Sequence, residues 1–283
     1  DAIATRGYWS AFPEMPSPKL YGEAAPDEGK RAFEAHLGKP FELGQPGQTG
    51  WHGGESSPYG VALDVRYPVC DPETLIAAGL EAMKGWQAVG ADGRTGICLE
   101  ILQRLNKQSF EIAHAVMMTT GQGWMMAFQA GGPHAQDRGL EAVTYAWREQ
   151  SFVPAETTWE KPQGKNPALV MKKHFQIVGR GVGLVIGCGT FPTWNTYPGL
   201  FAALATGNAV IVKAHSNAIL PAAITVRTIR TVLAENGIDP NLVSLCVAAD
   251  RATTQKLVTH AGIKSIDFTG GNAFGSWLID NCR

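Results

Sequence analysis

The chain has 283 residues, of which 45% are hydrophobic and 17% are charged. Its formal net charge of -1 argues against a nucleic-acid partner, because such binding needs a surplus of lysine and arginine. No apolar run approaches the ~18 residues that cross a bilayer, and the first residues lack a signal-peptide pattern. The five cysteines contain no C-x-x-C pair, so neither a zinc ribbon nor a disulfide framework is indicated. We therefore expect a soluble, cytoplasmic protein without a metal site, a membrane anchor or a nucleic-acid partner.

Residues 1 to about 70 are rich in proline, glycine and aromatic side chains and show little periodicity. Since glycine and proline interrupt helices and strands, we predict an irregular N-terminal extension over 1–70. Its stretch 43–60 contains three polar side chains that suggest a site: His52, Glu55 and Ser57. The interpretation that we favour is a structural loop packed by Trp51 and Tyr59.

Helical periodicity begins at Asp71-Pro72, an N-cap followed by a proline in the first turn. Apolar spacing predicts three helices, over about 71–86, 94–119 and 137–147. After Phe152 a polar segment leads to alternating apolar residues around Leu169, which predict a hairpin or an edge strand.

From Gln176 onward, short apolar runs alternate with helical patterns. The predicted strands are 183–187, 209–213, 242–247 and 265–268. The predicted helices are 197–206, 220–236, 252–260 and 273–282. Apolar strands separated by helices are typical of a parallel sheet covered on both faces. We therefore predict an α/β fold with a Rossmann-like parallel sheet over about 176–283, preceded by helical and irregular segments.

Ligands of such sheets bind at the carboxyl ends of the strands, where three segments stand out. Asn195 follows the first strand, and its side-chain N–H suits either a helix cap or an oxyanion. Lys213 ends the second strand and needs either an anionic or hydroxyl-rich ligand or a route to water. Three glycines after the fourth strand open a helix, where free N–H groups favour phosphate: Gly270, Gly271 and Gly275. Taken singly, each feature has a structural alternative.

Another set of glycines surrounds the first strand: Gly179, Gly181, Gly183, Gly187 and Gly189. A dinucleotide-binding fingerprint follows its strand, whereas the first three of these glycines lie before the predicted strand or at its first residue. We therefore reject this run as the phosphate loop, which weakens the hypothesis of a different Rossmann reductase.

The order and spacing of the three strand-end segments resemble the aldehyde dehydrogenase superfamily. Its Trp-Asn, Lys-Pro-Ser-Glu-like and Phe-Thr-Gly-Ser-like motifs stand here as Thr193-Trp194-Asn195, Lys213-Ala214-His215-Ser216 and Phe268-Thr269-Gly270-Gly271. The resemblance covers about residues 71–283, which would form the N-terminal, cofactor-binding part of that fold. The amino-acid sequence of residues 174–195 is most similar to the phenylacetate-degradation (PaaN-type) branch.

Members of that family oxidise an aldehyde through a cysteine thioester, with a glutamate base and a nicotinamide cofactor. The resemblance implies that Asn195 holds the oxyanion and that Lys213 bonds the adenosine ribose. It further implies cofactor contacts at Thr193, Trp194 and Ser216, with Gly270, Gly271 and Gly275 at the pyrophosphate. Ser216 stands where the family commonly has an acidic residue that repels a 2′-phosphate, so we expect NADP, with NAD as the alternative.

The chain departs from the family pattern at several positions. Two residues separate Asn195 from Pro198, where the family commonly has one, and 248–250 replace a glycine-rich loop. The family's base and nucleophile lie beyond its last motif, so we expect neither in this chain and assign Cys282 no such role. Three further cysteines are interpreted as buried hydrophobes: Cys98, Cys188 and Cys246. A catalytic role for Cys188 is the minor alternative.

Two functions stay open at this point. The first is NAD(P)-dependent aldehyde oxidation on a small-molecule substrate, by a homo-oligomer when full length. The second is a non-catalytic nucleotide-binding or scaffold protein that keeps the sheet and lacks the nucleophile. The coding sequence beyond Arg283 discriminates between them, because the enzyme requires segments that resemble Glu-Leu-Gly-Gly and Gly-Gln-x-Cys.

Overall fold

The computed structural model of the chain describes residues 1–247 and 250–282. Its helices are α1 (Ala2–Thr5), α2 (Pro18–Tyr21), α3 (Ala25–Glu34), α4 (Pro72–Ala88), α5 (Gly90–Lys107), α6 (Ser109–Thr120), α7 (Trp124–Gly131), α8 (Pro133–Ser151), α9 (Tyr197–Ala205), α10 (Leu220–Glu235), α11 (Arg251–Thr259) and α12 (Asn272–Asn281). Its strands are β1 (Gln48–His52), β2 (Tyr67–Cys70), β3 (Glu156–Gln163), β4 (Asn166–His174), β5 (Val182–Ile186), β6 (Ala209–Lys213), β7 (Val243–Cys246) and β8 (Ile263–Phe268).

A four-stranded parallel sheet in the order β7-β6-β5-β8 forms the centre of the fold. Strand β5 is buried along its whole length, as its uninterrupted apolar sequence requires. Helices α4, α9, α10 and α11 pack against the sheet, which confirms the predicted α/β fold. The strand order reverses direction at β5, because β6 lies on one side of it and β8 on the other. In sheets of this kind the ligand crevice lies at that reversal.

The prediction of an irregular segment over 1–70 is wrong in part, because this segment contains α3 and the antiparallel pair β1–β2. Helix α3 packs on α6 and buries Phe33, but one glycine and one proline within ten residues hide its periodicity. The predicted packing of the 43–60 loop is also wrong. Trp51 and Tyr59 are 42% and 52% exposed, whereas the polar Glu55 is buried.

The helix predicted over 94–119 is two helices that meet at Gln108, where the backbone leaves helical geometry with φ -95° and ψ 10°. The apolar periodicity continues across this residue, so the sequence pattern does not show the break. Helix α7, which lies between Gly123 and Gly132, was not predicted. The hairpin is confirmed, with β3 and β4 paired in antiparallel register.

Within residues 1–247 and 250–282, no helix is long and apolar enough to span a membrane. The same part of the chain contains no cluster of three side chains able to ligate a metal ion.

Candidate active site

The three predicted strand-end segments meet at the reversal point of the sheet. Ile186, the last residue of β5, lies in register with Lys213 on one side and with Phe268 on the other. The Gly187 N–H donates to the Lys213 carbonyl at 3.1 Å, and the Thr269 N–H donates to the Ile186 carbonyl at 3.2 Å. Because neighbouring strands are ~4.8 Å apart, the three chain segments leave the sheet within ~10 Å of one another.

The side chain of Asn195 contacts a cysteine at this edge of the sheet. Its Nδ2 lies 3.3 Å from the Sγ of Cys188, which also contacts the Oγ1 of Thr190 at 3.3 Å and the N–H of Phe191 at 3.4 Å. Burial raises the pKa of the Cys188 thiol, but these donors together outweigh it and lower the pKa. Cys188 is buried as predicted, at 9% exposure, but its sulfur also has polar partners, so it is not only a core hydrophobe.

We predict that Cys188 is alkylated by iodoacetamide with a pH midpoint below that of an ordinary thiol, because hydrogen-bond donors stabilise the thiolate. Its reaction should persist as the pH falls towards neutrality and stop once the pH passes below the lowered pKa. Asn195→Ala removes one donor and should raise the midpoint. Peptide mapping identifies the alkylated cysteines. Cys246 is the internal control, because burial raises the pKa of its thiol to about 12. A Cys188 midpoint at or above the ordinary value would contradict this reading.

Cys98 and Cys246 match the interpretation as buried hydrophobes. Both are at most 1% exposed, and burial raises the pKa of each thiol to about 12. The half-exposed Cys282 follows the last residue of α12, and burial raises its pKa as well. None of these three thiols has the thiolate-stabilising environment of a nucleophile.

Lys213 is partly buried at the end of β6. Burial lowers the pKa of its ammonium group, and the smaller opposing effect comes from Cys246 on the neighbouring strand. A charged group that burial disfavours gains from an anionic or hydroxyl-rich partner. The adjacent side chain of His215 packs over Gly189, where an added Cβ would lie 2.9 Å from the imidazole ring. Gly189 is therefore required for the approach of the two loops rather than for a phosphate.

Gly271 is the N-cap residue of α12, and no side chain caps this helix. A Cβ built on Gly271 would meet no atom within 4 Å, and the residue is exposed. Gly270 differs, since a Cβ built on it would lie 2.4 Å from the Phe268 ring, and a Cβ built on Gly275 would lie 3.4 Å from the same ring. The first backbone N–H groups of a helix have no partner within it. Helix α12 thus presents free donors at an open surface beside β5.

The other predicted cofactor residues differ in their accessibility. Thr193 is 1% exposed and its hydroxyl donates to the Gly131 carbonyl at 2.8 Å, so its side chain faces the interior. Trp194 is half-buried, with the guanidinium of Arg138 at 4.7 Å from its ring centre. Ser216 is exposed at the tip of the loop after β6. Because the side chain of Thr193 faces the interior, any contact of this residue with a ligand has to come from its backbone.

The extra residue between Asn195 and Pro198 is accommodated in a turn. The N–H groups of Thr196 and Tyr197 both donate to the Thr193 carbonyl, at 3.0 and 2.9 Å. The departure at 248–250 falls mostly outside the described residues, because Ala248 and Ala249 are not among them. Asp250 caps α11 through the N–H of Thr253 at 2.6 Å.

One residue that contacts this edge of the sheet was not predicted as functional. Glu55 accepts hydrogen bonds from the N–H groups of Ile219 and Leu220, where the loop after β6 enters α10. The tyrosine hydroxyl of Tyr67 donates to the same carboxylate. The only signal in the sequence was an acidic residue within a glycine-rich loop, which does not reveal a partner 164 positions away.

The family assignment follows from residues 69–283, which match the aldehyde dehydrogenase family. The match covers most of the chain, and the chain belongs to this family. The PaaN-type branch is a finer assignment, which the family match does not address.

The chain is similar to three known proteins. A crystal structure of an NAD-dependent aldehyde dehydrogenase from Burkholderia multivorans superposes with a TM-score of 0.97 at 59% identity, over 99% of this chain and 51% of that protein. Geranial dehydrogenase of Castellaniella defragrans is 25% identical over 76% of this chain and 43% of its own length. NADP-dependent glyceraldehyde-3-phosphate dehydrogenase from Bacillus halodurans, solved with NADP, shares the fold with a TM-score of 0.65 at 21% identity, over 81% of this chain and 46% of that protein. The chain spans about half or less of the length of these relatives.

Proposed function

We propose that the chain carries the cofactor-binding part of an enzyme that oxidises an aldehyde to an acid with a nicotinamide cofactor. The observation that carries the proposal is the register of three adjacent strand ends, from which the segments that contain Asn195, Lys213 and Gly271 leave the sheet. The amide of Asn195 suits a developing oxyanion, and the ammonium of Lys213 suits a ribose. The uncapped start of α12 at Gly271 suits a pyrophosphate. The cofactor, when bound, supplies the hydride acceptor.

The residues of the chain fit such a dinucleotide. The open space beside Gly271 leaves room for a phosphate against the start of α12, whose N–H groups and dipole favour negative charge. Lys213 would donate to the ribose hydroxyls, which offsets the cost of its burial. Asn195 has a second N–H besides the one directed at Cys188, and this N–H would stabilise the oxyanion.

The proposal is tested in the natural full-length protein by aldehyde-dependent formation of reduced cofactor. Asn195→Ala should lower kcat by about 10²–10³ with the cofactor dissociation constant unchanged, as for other single oxyanion donors. A protein that binds the nucleotide but has no turnover with any aldehyde would support the alternative, a nucleotide-binding scaffold.

NADP is the cofactor that we propose, with NAD as the weaker one. Ser216 is exposed, and its Oγ makes only a 3.5 Å contact with the Asn217 side chain, so it is free to meet a ligand. It does not cap the following helix, since Glu55 does so. A 2′-phosphate carries about -1.5 to -2 charges, and no carboxylate at position 216 repels it.

We predict that Ser216→Glu raises the dissociation constant of NADP at least tenfold and that of NAD by less than threefold. The new carboxylate repels the 2′-phosphate, which only NADP has. Ser216→Ala is the matched control and should change the NADP:NAD ratio by less than threefold. The two constants are measured by calorimetry on each variant. A strong preference of the wild-type chain for NAD would contradict the assignment.

We also propose an aromatic aldehyde of phenylacetate catabolism as the substrate, on the similarity of 174–195 to the PaaN-type branch. A comparison of kcat/KM for aromatic and aliphatic aldehydes in the full-length protein tests this.

The cytoplasm is the proposed compartment, because all five cysteines are free thiols, as is usual under reducing conditions.

A homo-oligomer is the proposed assembly. The β3–β4 hairpin is exposed along almost all of its residues, and it carries Trp159, Leu169 and Met171 at 39–46% exposure. An isolated two-stranded hairpin is marginally stable in water, so a second copy packed on this apolar face would stabilise it.

Leu169 and Met171 lie on one face of β4, and Val170 lies on the other. We predict that Leu169→Lys combined with Met171→Lys shifts the assembly to a smaller species in sedimentation-velocity experiments, because the charges oppose burial of this face. Val170→Lys is the control for the opposite face and should leave the sedimentation unchanged. Equal sedimentation of the double variant and the wild type would contradict the assignment of this face.

A further inference from the structure

The carboxylate of Glu55 caps α10 from a distant part of the chain. Glu55 is 4% exposed, and its Oε1 accepts the backbone N–H groups of Ile219 and Leu220, the second at 3.1 Å. Helix α10 has no cap from its own N-cap residue, Ile219. Burial raises the pKa of Glu55, whereas the bonds from Tyr67, Leu220 and Ile219 act against this. A negative charge at a helix N-terminus is favourable, so the carboxylate has partners for its buried charge.

The cap lies at one end of the loop that carries His215 and Ser216. This loop, 214–219, joins Lys213 of β6 to α10. Its ends are buried, with Ala214 at 6% and Ala218 at 1% exposure, while its tip is exposed at His215 and Ser216. The β6 ladder holds one end of the loop, and Glu55 holds the backbone at the other end. The position of the tip therefore depends on both anchors.

Glu55 lies outside the part of the chain that the family match covers, which begins at residue 69. The segment that contains it reaches the site through β2, because Tyr67 of that strand bonds the same carboxylate. The N-terminal segment thus contributes to an edge of the sheet that the family region by itself does not complete.

We propose that Glu55 is a positioning residue for the dinucleotide: by fixing Ile219 and Leu220 it holds the 214–219 loop so that His215 and Ser216 face the ribose. This inference rests on the proposed function. Glu55 itself does not touch the cofactor and acts through the backbone of the loop.

The test compares two buried polar residues, one that bonds the chain before β6 and one that bonds it after β6. Glu55→Ala and Glu55→Gln remove the charge of the cap. Gln150→Ala is the matched control, because Gln150 is 7% exposed and bonds the Ala205 carbonyl at 3.1 Å, near the start of β6. Calorimetry with NADP and NAD on the 283-residue chain gives the dissociation constants, at a temperature where each variant is folded by circular dichroism. Hydrogen exchange of the 214–220 amides reports the loop directly.

We expect Glu55→Ala to raise the NADP dissociation constant at least fivefold and to speed exchange at 214–220. Glu55→Gln, which keeps one acceptor oxygen, should show a smaller increase, and Gln150→Ala should stay within twofold of wild type. If Glu55→Ala does not fold, the Glu55→Gln result decides. Unchanged affinity in the Glu55 variants of a wild type that binds NADP would overturn this inference alone. A wild type that binds neither nucleotide would overturn the proposed function and this inference with it.

Discussion

Replacing Gly271 by aspartate is expected to raise the dissociation constant of NADP at least tenfold without lowering the free energy of unfolding. Gly271 has φ -72° and ψ 145°, which any residue adopts, and a Cβ there meets no atom within 4 Å. Aspartate is a preferred N-cap residue and accepts the free N–H groups of the first turn. Its carboxylate would then occupy the place proposed for a phosphate and repel it. A tenfold change corresponds to about 1.4 kcal/mol.

Gly271→Ser is the matched control for this prediction, because serine caps a helix equally well but carries no charge. It should match the aspartate variant in stability but keep an NADP affinity close to that of wild type. Calorimetry and urea unfolding of the three proteins give both quantities. Equal NADP affinity in Gly271→Asp and wild type would show that the start of α12 does not bind the pyrophosphate.

The second large effect concerns stability, and it centres on a buried arginine of α10. Arg230 is 6% exposed. Its guanidinium donates five hydrogen bonds of 2.7–3.2 Å, to the carbonyl oxygens of Leu43, Gly44, Pro240 and Val243 and to Asn241 Oδ1. These bonds attach α10 to the N-terminal segment and to the start of β7.

We predict that Arg230→Met lowers the free energy of unfolding by about 2–6 kcal/mol, because it removes the donor from two buried acceptors, the carbonyl oxygens of Leu43 and Val243, and each such loss costs about 1–3 kcal/mol. Arg230→Lys keeps the charge but has fewer donors, so its free energy of unfolding should lie between those of wild type and Arg230→Met. Thr231→Ala, at the exposed neighbouring position, should change stability by less than about 0.5 kcal/mol. Urea unfolding measures all four proteins. A loss below 1 kcal/mol in Arg230→Met would mean that these five bonds are replaced by water.

The sheet and its strand ends could be predicted from the sequence because their signals are local. Strands β5 and β6 are continuous apolar runs, and such runs indicate buried parallel strands wherever they alternate with helices. The polar residues directly after them then have to share one edge of the sheet. Asn195 and Lys213 could therefore be located without knowledge of any contact.

The contacts that complete the site could not be predicted in this way. The cap of α10 joins Glu55 to Ile219 across 164 residues, and the polar surroundings of Cys188 depend on how the loop after β5 turns back on itself. Neither leaves a periodic signal in the chain. The break at Gln108 was missed for a related reason, because apolar spacing continues through it while the backbone does not.

The most direct measurement is a crystal structure of the chain with bound NADP. We expect the pyrophosphate at the N-terminus of α12, within hydrogen-bond distance of the backbone N–H of Gly271 or Asn272, and a ribose hydroxyl on the Lys213 ammonium. The 2′-phosphate should lie beside Ser216, with no carboxylate near it. A nucleotide bound elsewhere, or one whose phosphates contact the glycines before β5 instead of those after β8, would contradict the account.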